Sequence, residues 1–252
     1  MDLKITATPR SKIELGKSSW HLEIPSGQPR YRLAQLDDYS KLRRQDFYWN
    51  PCTSLKLMAR VSSQTLPGTW GFGLWNDPFS MFFGLGGMKR FFPVFPNAAW
   101  FFYASPENYI SFRNDRPSYG FLAATFRSTK KKPLTAIPQL ALFPLLLSRA
   151  WARSIRKKLS EMIREESYSL DIDVSQWNSY SITWNTDRVS FTINNKTVFS
   201  STTVPRGPLG LVIWIDNQYA AFKPSGEIKA GVLRSDAPAW MELAEVKISH
   251  FS

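Results

Sequence analysis

The most informative stretch of the 252-residue sequence is Trp177-Asn-Ser-Tyr-Ser-Ile-Thr-Trp184, continued by Asn185-Thr-Asp-Arg188 and Val189-Ser-Phe-Thr-Ile193. Large apolar residues alternate in it with small polar ones at a period of two, which is the pattern of a half-buried β-strand. Residues 185–188 predict a turn between the two alternating runs, and Asn194-Asn-Lys196 predicts the next turn. The stretch therefore predicts a β-hairpin with one apolar and one hydroxyl-rich face.

Outward from this hairpin, most of the chain shows the same strand patterns separated by turn residues. The segment 98–104 is wholly apolar, which predicts a central strand covered on both faces. In residues 54–62, Leu55, Leu57, Ala59 and Val61 occupy alternate positions and predict the buried side of a strand. Further strands are predicted over 69–76, 119–127, 209–216 and 240–249. The sequence thus predicts an all-β protein.

One segment departs from the strand pattern. From Pro144 to about Glu166, Leu147, Trp151, Ile155, Leu159 and Met162 or Ile163 recur at helical spacing. We therefore predict one amphipathic helix around 144–166, inside a basic insertion over 133–167. Because no internal repeat or Pro/Gly/Ser-rich linker is visible, we expect residues 1–252 to form a single β-sandwich domain.

The positive charge of the chain is concentrated in one region. The formal net charge is +12, and the segment 127–164 carries ten Lys or Arg against the single acid Glu161. The basic character therefore belongs to the helical insertion rather than to the whole surface.

Few residues are available for metal, disulfide or histidine chemistry. The chain has one cysteine, Cys52, and two histidines near its ends, His21 and His250. The first ten residues lack the apolar core of a signal peptide, and the apolar run 134–147 is too short and too broken by proline to span a bilayer. We expect a cytoplasmic protein without a transmembrane helix, with peripheral membrane association as an alternative. Whether a cofactor is bound is unknown from the sequence.

The strand order resembles that of the laminarinase-like, family 16 β-glucanases of the concanavalin A-like lectin/glucanase superfamily. The residues that carry this resemblance are Leu55-Lys-Leu-Met-Ala-Arg60, Gly68-Thr-Trp-Gly-Phe-Gly-Leu-Trp75, the hairpin 177–193 and Met241-Glu-Leu-Ala-Glu-Val-Lys-Ile248. The resemblance implies a two-sheet antiparallel jelly-roll sandwich with a ligand cleft on its concave sheet.

The catalytic motif of that family is missing. Its enzymes resemble other retaining glycosidases and use two carboxylates about 5 Å apart, presented by a Glu-x-Asp-x-x-Glu strand. The strand in the corresponding place here is Asn97-Ala-Ala-Trp-Phe-Phe-Tyr103, which has no carboxylate. The most similar arrangement of acids to this motif is Asp171 with Asp173, but these residues precede the hairpin. They are better interpreted as caps of a strand edge. We do not expect glycosidase activity by the family mechanism, and other enzyme activity is left open.

Aromatic and polar residues at the expected cleft strands are the candidates for ligand binding. Apolar ring faces with a few hydrogen-bonding groups suit a sugar or another amphipathic ligand. The same rings are also what the core of a large sandwich needs. The candidates are Trp75, Asn76, Asp77, Trp100, Phe102, Arg113, Asp115, Trp214, Asp216, Asn217 and Tyr219.

A second set of candidates concerns anionic surfaces. The stretch 78–96 holds six phenylalanines with prolines and glycines, and we interpret it as a lid over a cavity or a wedge for a membrane or partner. The basic helix either packs on the sandwich with solvated charges or lies on an anionic bilayer. Nucleic acid is not an expected partner, because no nucleic-acid-binding motif accompanies the charges. The residues assigned to the surface are Arg149, Arg153, Arg156, Lys157 and Lys158.

Three functions therefore follow from the sequence as hypotheses. The first is a non-hydrolytic, glucanase-like sandwich that binds a carbohydrate or other amphipathic ligand in an aromatic cleft. The second is an enzyme of other chemistry that acts on an apolar small molecule in the same cleft. The third is a peripheral membrane protein held by the basic helix and the Phe-rich loop.

Overall fold

The computed structural model describes residues 2–78, 94–128 and 148–251, and its described elements are almost all strands. Two seven-stranded antiparallel sheets pack face to face, as the sequence predicted, and a single α-helix is present among the described residues. Most of the predicted loop 78–96, and residues 133–147 of the predicted insertion, lie outside the described part of the chain.

The first sheet carries the candidate cleft strands. Its seven strands are, in spatial order, β1 (Lys4–Ala7), β4 (Leu33–Asp37), β13 (Gly210–Asp216), β6 (Thr69–Trp75), β7 (Ala98–Ala104), β8 (Gly120–Ser128) and β9 (Ile163–Ser169).

The second sheet contains the predicted hairpin. Its strands are, in spatial order, β12 (Lys196–Ser201), β11 (Val189–Ile193), β10 (Asn178–Trp184), β5 (Thr53–Val61), β16 (Ala239–His250), β3 (Ser19–Ile24) and β2 (Lys12–Leu15). A separate two-stranded sheet pairs β14 (Gln218–Phe222) with β15 (Ile228–Val232), and a short 3-10 helix spans Arg44–Asp46.

The hairpin prediction is confirmed in detail. Tyr180 pairs with Ile193, and Trp184 pairs with Val189, so the apolar residues of the two strands share one face. All of them are buried between the sheets. The turn at 185–188 is closed by the Asn185 N–H, which donates to the Arg188 carbonyl at 2.9 Å. Asn194 and Asn195 have φ values of 48° and 63°, as a two-residue turn into β12 requires.

The inner core lies between the two sheets and draws on alternate residues of each strand. Trp70 and Phe72 of β6 pack there with Phe101 of β7, Tyr180 of β10 and Phe191 of β11. Because successive side chains of a strand point to opposite faces, the other residues of β6, β7 and β13 point away from the second sheet. That outer face of the first sheet has its own buried apolar cluster.

The helix is shorter than predicted. Helix α1 spans Arg149–Met162, and the chain continues directly into β9, whereas the sequence pattern extended the helix to about Glu166. Residues 163–169 pair with the free edge of β8 from Ile163 opposite Ser128 to Ser169 opposite Leu122. This pairing satisfies the backbone of 163–166 and ends the helix at a point that the apolar spacing could not show.

The apolar stripe of the helix is also rotated from the predicted one. Trp151 is 56% exposed, while Ala152 and Arg156 are buried. Leu159 and Met162 pack against the outer-face cluster. Among the described residues, no helix has both the length and the apolar character needed to cross a bilayer.

Candidate ligand-binding site

Four of the predicted ligand-binding aromatics come together on the outer face of the first sheet. Trp75 lies at the end of β6, Trp100 and Phe102 are on β7, and Trp214 is on β13. Phe126 of β8 joins them, and we call these five side chains the aromatic layer.

Trp100 is the centre of the aromatic layer, because it contacts all four other rings. Its centroid lies 5.3 Å from Phe102, 5.7 Å from Trp214, 5.8 Å from Trp75 and 5.9 Å from Phe126. The layer is packed rather than open, since Trp100, Phe102 and Trp214 are each only 6–7% exposed. The predicted cluster of rings is therefore present, but as a buried surface rather than as a wide cleft.

Glycines in β6 make room for these rings. Gly71 lies between Trp214 and Phe102 in the strand register, and Gly73 lies between Val212 and Trp100. A Cβ on Gly71 would lie 2.9 Å from Cη2 of Trp214 and 2.4 Å from the Phe101 carbonyl oxygen. The glycines of this strand thus allow the indole rings to pack closely over the sheet.

Among the residues of this face that are more than nine-tenths buried, two polar groups have no hydrogen-bond partner within the described part of the chain. They are the Trp100 indole N–H and the Ser167 hydroxyl, and both side chains are more than nine-tenths buried. Trp100 pairs with Ala124, and Ala124 pairs with Ser167, so the two groups belong to one cross-strand row. Such groups normally find a partner when they are buried.

Asp216 lies beside the layer, at the end of β13 on the same face of the sheet as Trp214. Its Oδ1 accepts hydrogen bonds from the Thr69 hydroxyl (2.8 Å) and from the N–H groups of Thr69 (3.3 Å) and Gln218 (3.2 Å). The Thr69 hydroxyl in turn accepts the indole N–H of Trp214 at 3.0 Å. Burial raises the pKa of Asp216 to about 7, even though the hydrogen bond from Thr69 acts in the opposite direction.

The other predicted polar residues are engaged in the scaffold. The Asn76 amide donates to the Phe95 carbonyl and accepts from the Asn97 N–H, each at 2.9 Å, and so joins the two ends of the segment 77–96. The carbonyl of Asp77 accepts two hydrogen bonds from the Arg44 guanidinium. Asn217 is fully buried, and its amide donates to two backbone carbonyls and accepts from the Arg32 N–H.

The remaining candidates lie elsewhere. Tyr219 belongs to the two-stranded sheet, where its ring packs over Gly231. Arg113 and Asp115 form a bidentate ion pair beside α1. Arg156, assigned to an anionic surface, is only 4% exposed, because its guanidinium is turned into the protein. Arg149, Arg153, Lys157 and Lys158 are exposed.

Sequence reasoning missed Phe126, Ser167 and Glu165 on this face. Phe126 could have been found, because it lies within the predicted strand 119–127. Ser167 and Glu165 were hidden by the prediction of a helix that extended into β9.

The carboxylates of the described outer face do not form a catalytic pair on one strand. They lie on three strands: Asp37 on β4, Glu165 on β9 and Asp216 on β13. Asp37 accepts the N–H groups of Tyr39 and Ser40, and Glu165 accepts the N–H of Phe112 at 2.9 Å. Burial raises the pKa of Glu165 as well. Asp173, in turn, holds an exposed turn through Ser175.

Known proteins resemble this chain in fold. No protein-family model and no curated protein sequence matches it. Among solved structures it is similar to the Crh5 transglycosylase in complex with NAG, with a TM-score of 0.51, 12% identity and coverage of 99% of this chain and 79% of the other. It is also similar to a glycoside hydrolase family 16 endo-glucanase from Bacteroides ovatus in complex with G4G3G-2F-DNP, with a TM-score of 0.50, 9% identity and coverage of 95% and 85%.

These similarities define the class of fold. The chain is a two-sheet antiparallel β-sandwich whose fold is similar to that of the family 16 endo-glucanase, as the resemblance of its strands implied. At such low identity the comparison shows the fold alone, and activity has to be argued from the site.

Proposed function

We propose that this protein binds an amphipathic, ring-containing ligand against the aromatic layer and does not hydrolyse it. The observation that carries the proposal is the Trp100 indole N–H, a buried donor that has no partner among the described residues and lies at the centre of five packed rings. A buried donor that is left unpaired costs about 1–3 kcal/mol. Because Trp100, Phe102 and Trp214 are only 6–7% exposed, a ligand has to displace the residues that cover these rings. A ligand oxygen that then accepted this hydrogen bond would recover that free energy while the apolar face of the ligand packed on the rings.

Saccharides are the first class of ligand to test. A pyranose presents an apolar face and several hydroxyl groups. These match the rings and the polar groups of Trp100 and Ser167, which have no partner in the part of the chain that the structure describes. Two structures of the same fold were solved in complex with NAG and with G4G3G-2F-DNP. The proposal for this chain takes only the ligand class from them.

The distribution of the acids supports binding without hydrolysis. A retaining mechanism needs two carboxylates about 5 Å apart, and the described outer face has its three carboxylates on three strands. Asp37 and Asp216 lie on adjacent strands, but Asp37 is paired with Val212, four residues from Asp216. Four residues of strand span roughly 13 Å.

The experiment compares two tryptophan variants. Trp100→Phe keeps an aromatic ring and removes the donor, so we expect it to weaken oligosaccharide binding by about tenfold, which corresponds to about 1.4 kcal/mol. The matched control is Trp70→Phe, which removes another unpartnered buried indole N–H, but in the inner core between the sheets. Affinity for β-glucan and chitin oligosaccharides is measured by calorimetry and by ligand-detected NMR.

Two results would overturn the proposal. One is that no oligosaccharide binds at millimolar concentration. The other is that Trp100→Phe and Trp70→Phe change the affinity equally, because the effect would then come from general loosening of the sandwich.

A second candidate function is peripheral membrane association through α1. The observation that favours it is Trp151, which is 56% exposed on a helix whose exposed residues include Arg149, Arg153, Lys157 and Lys158. An amphipathic helix with an apolar anchor among cations suits an anionic bilayer surface.

A further inference from the structure

Two groups of residues that the sequence assigned to different roles line one cleft. Arg113 and Asp115, predicted as ligand-binding, face Arg153, Arg156 and Lys157 of α1, predicted as contacts of an anionic surface. The cleft has a volume of about 400 Å³. It is completed by Phe112, Asn114, Ser160 and Pro224.

The net charge of this cleft is strongly positive. The Arg113 guanidinium donates to both oxygens of Asp115, at 2.8 and 2.7 Å, so these two residues form a neutral pair. Beside Arg113, the pKa of Asp115 falls to about 2, which keeps the pair ionised. Among the described residues, no carboxylate lies within ion-pair distance of Arg153, Arg156 or Lys157. Arg153 and Lys157 are therefore left without an ion-pair partner, while the buried Glu165 interacts electrostatically with Arg156 and offsets part of its charge.

Arg156 forms the floor of the cleft. Its guanidinium donates to the carbonyls of Ser111 (2.7 Å), Phe222 (2.6 Å) and Arg113 (3.3 Å) and to Oδ1 of Asn114 (3.3 Å). These acceptors are neutral, so they satisfy the donors and leave the charge in place. Arg156 is only 4% exposed. Burial is also why the pKa of Arg156 is lowered, because it disfavours the charged form.

We propose that this cleft is a binding site for a phosphate group, either free or carried by an ester. A phosphate monoester bears about −1.5 to −2 charges and three strong acceptor oxygens, which match the two exposed cations Arg153 and Lys157 above the buried Arg156 better than a carboxylate does. The exposed Arg153 supplies a planar fork of donors and Lys157 a mobile ammonium, the two side chains that most often bind phosphate. Phe112 and Pro224 offer an apolar wall for the organic part of an ester.

The test titrates the full chain with inorganic phosphate, a hexose phosphate and vesicles that contain phosphatidic acid. We expect saturable binding of phosphate, and at least tenfold weaker binding by the double variant Arg153→Gln/Lys157→Gln. The matched control is Arg149→Gln/Lys158→Gln, which removes the same charge from the same helix outside the cleft lining. The control should bind phosphate within twofold of the unchanged protein.

The outcomes separate the possible sources of the group. Tighter binding of the hexose phosphate than of phosphate supports the site and points to a soluble ester. Tighter vesicle binding that Arg153→Gln/Lys157→Gln abolishes supports the site and points to a lipid headgroup. Equal losses of phosphate affinity in the two double variants would overturn the proposal, because the overall positive charge of the helix, and not the cleft, would then attract the phosphate.

Absence of saturable binding of every probe would also overturn it. The proposal does not depend on the aromatic layer. Phosphate and oligosaccharide titrations are separate measurements on the same protein, so either can fail while the other succeeds.

Discussion

A short chain of hydrogen bonds links Trp214 to an unusual carboxylic acid. The indole N–H of Trp214 donates to the Thr69 hydroxyl, which donates to Oδ1 of Asp216. The three bonds that Asp216 accepts favour its charged form, but burial outweighs them and raises its pKa to about 7. The position of one ring of the aromatic layer is therefore coupled to a group that titrates near neutral pH.

The raised pKa of Asp216 makes a prediction about stability. Between about pH 4 and pH 7 the folded protein holds a proton on Asp216 that the unfolded chain has released. Its contribution therefore lowers the free energy of unfolding as the pH rises through this range. Asp216→Asn cannot titrate and keeps an acceptor for Thr69. When the pH is raised from 4.5 to 8, we expect the free energy of unfolding of the variant to increase by about 3 kcal/mol relative to that of the unchanged protein.

Urea unfolding at the two pH values, followed by tryptophan fluorescence, measures this difference. Parallel pH profiles for the two proteins would contradict the prediction. Because Asp38 and Glu165 also have raised pKa values, only the difference between the proteins reports on Asp216.

At the scale of secondary-structure elements, Arg156 is the residue that holds α1 on the sandwich. Its guanidinium reaches the loop at 111–114 and the end of β14, and it lies 5.0 Å from the centroid of the Tyr109 ring. The helix buries only a narrow strip, so this polar anchor accounts for much of its attachment.

Arg156→Gln should detach the helix. The shorter side chain leaves the carbonyls of Ser111 and Phe222 without donors. We therefore expect the free energy of unfolding to fall by about 3 kcal/mol. The control is Arg153→Gln on the exposed side of the helix, which should change stability by less than about 0.5 kcal/mol. Chemical denaturation measures the loss, and hydrogen exchange should show faster opening of 149–162 in Arg156→Gln alone. Equal exchange rates in the two variants would contradict this role.

At the scale of the whole molecule, charge is distributed unevenly. The segment 127–164 carries +9 of the total net charge of +12. In the described part of this segment, the exposed ring of Trp151 and the exposed cations belong to the same helix, α1. Each Lys or Arg near an anionic bilayer contributes on the order of 1 kcal/mol, so several together give measurable attraction at low salt.

The membrane candidate is tested with Trp151→Ala. If the helix lies on a bilayer, this change should reduce binding to phosphatidylserine vesicles by about tenfold at low ionic strength, because the apolar anchor is lost. Tyr119→Ala is the matched control, since Tyr119 is 55% exposed but does not belong to the helix. Co-sedimentation measures both variants. Equal binding of the two would exclude Trp151 as an anchor.

The sequence by itself determined the strands and the inner core. The alternation in 177–193 predicted which residues of the hairpin are buried, and the alternation of Leu55, Leu57, Ala59 and Val61 did the same for β5. Such patterns are reliable because they record the burial of one face within a single continuous element.

Only the tertiary structure decided the sites. Contacts between segments far apart in the chain close the aromatic layer and leave Trp151 exposed. Such contacts also bury Arg156 and bring it against the loop that contains Arg113. The end of α1 at Met162 likewise depends on the edge of β8, which offers 163–169 a strand partner. Local spacing reports that a face is buried, but the partner that buries it is set by packing between distant elements.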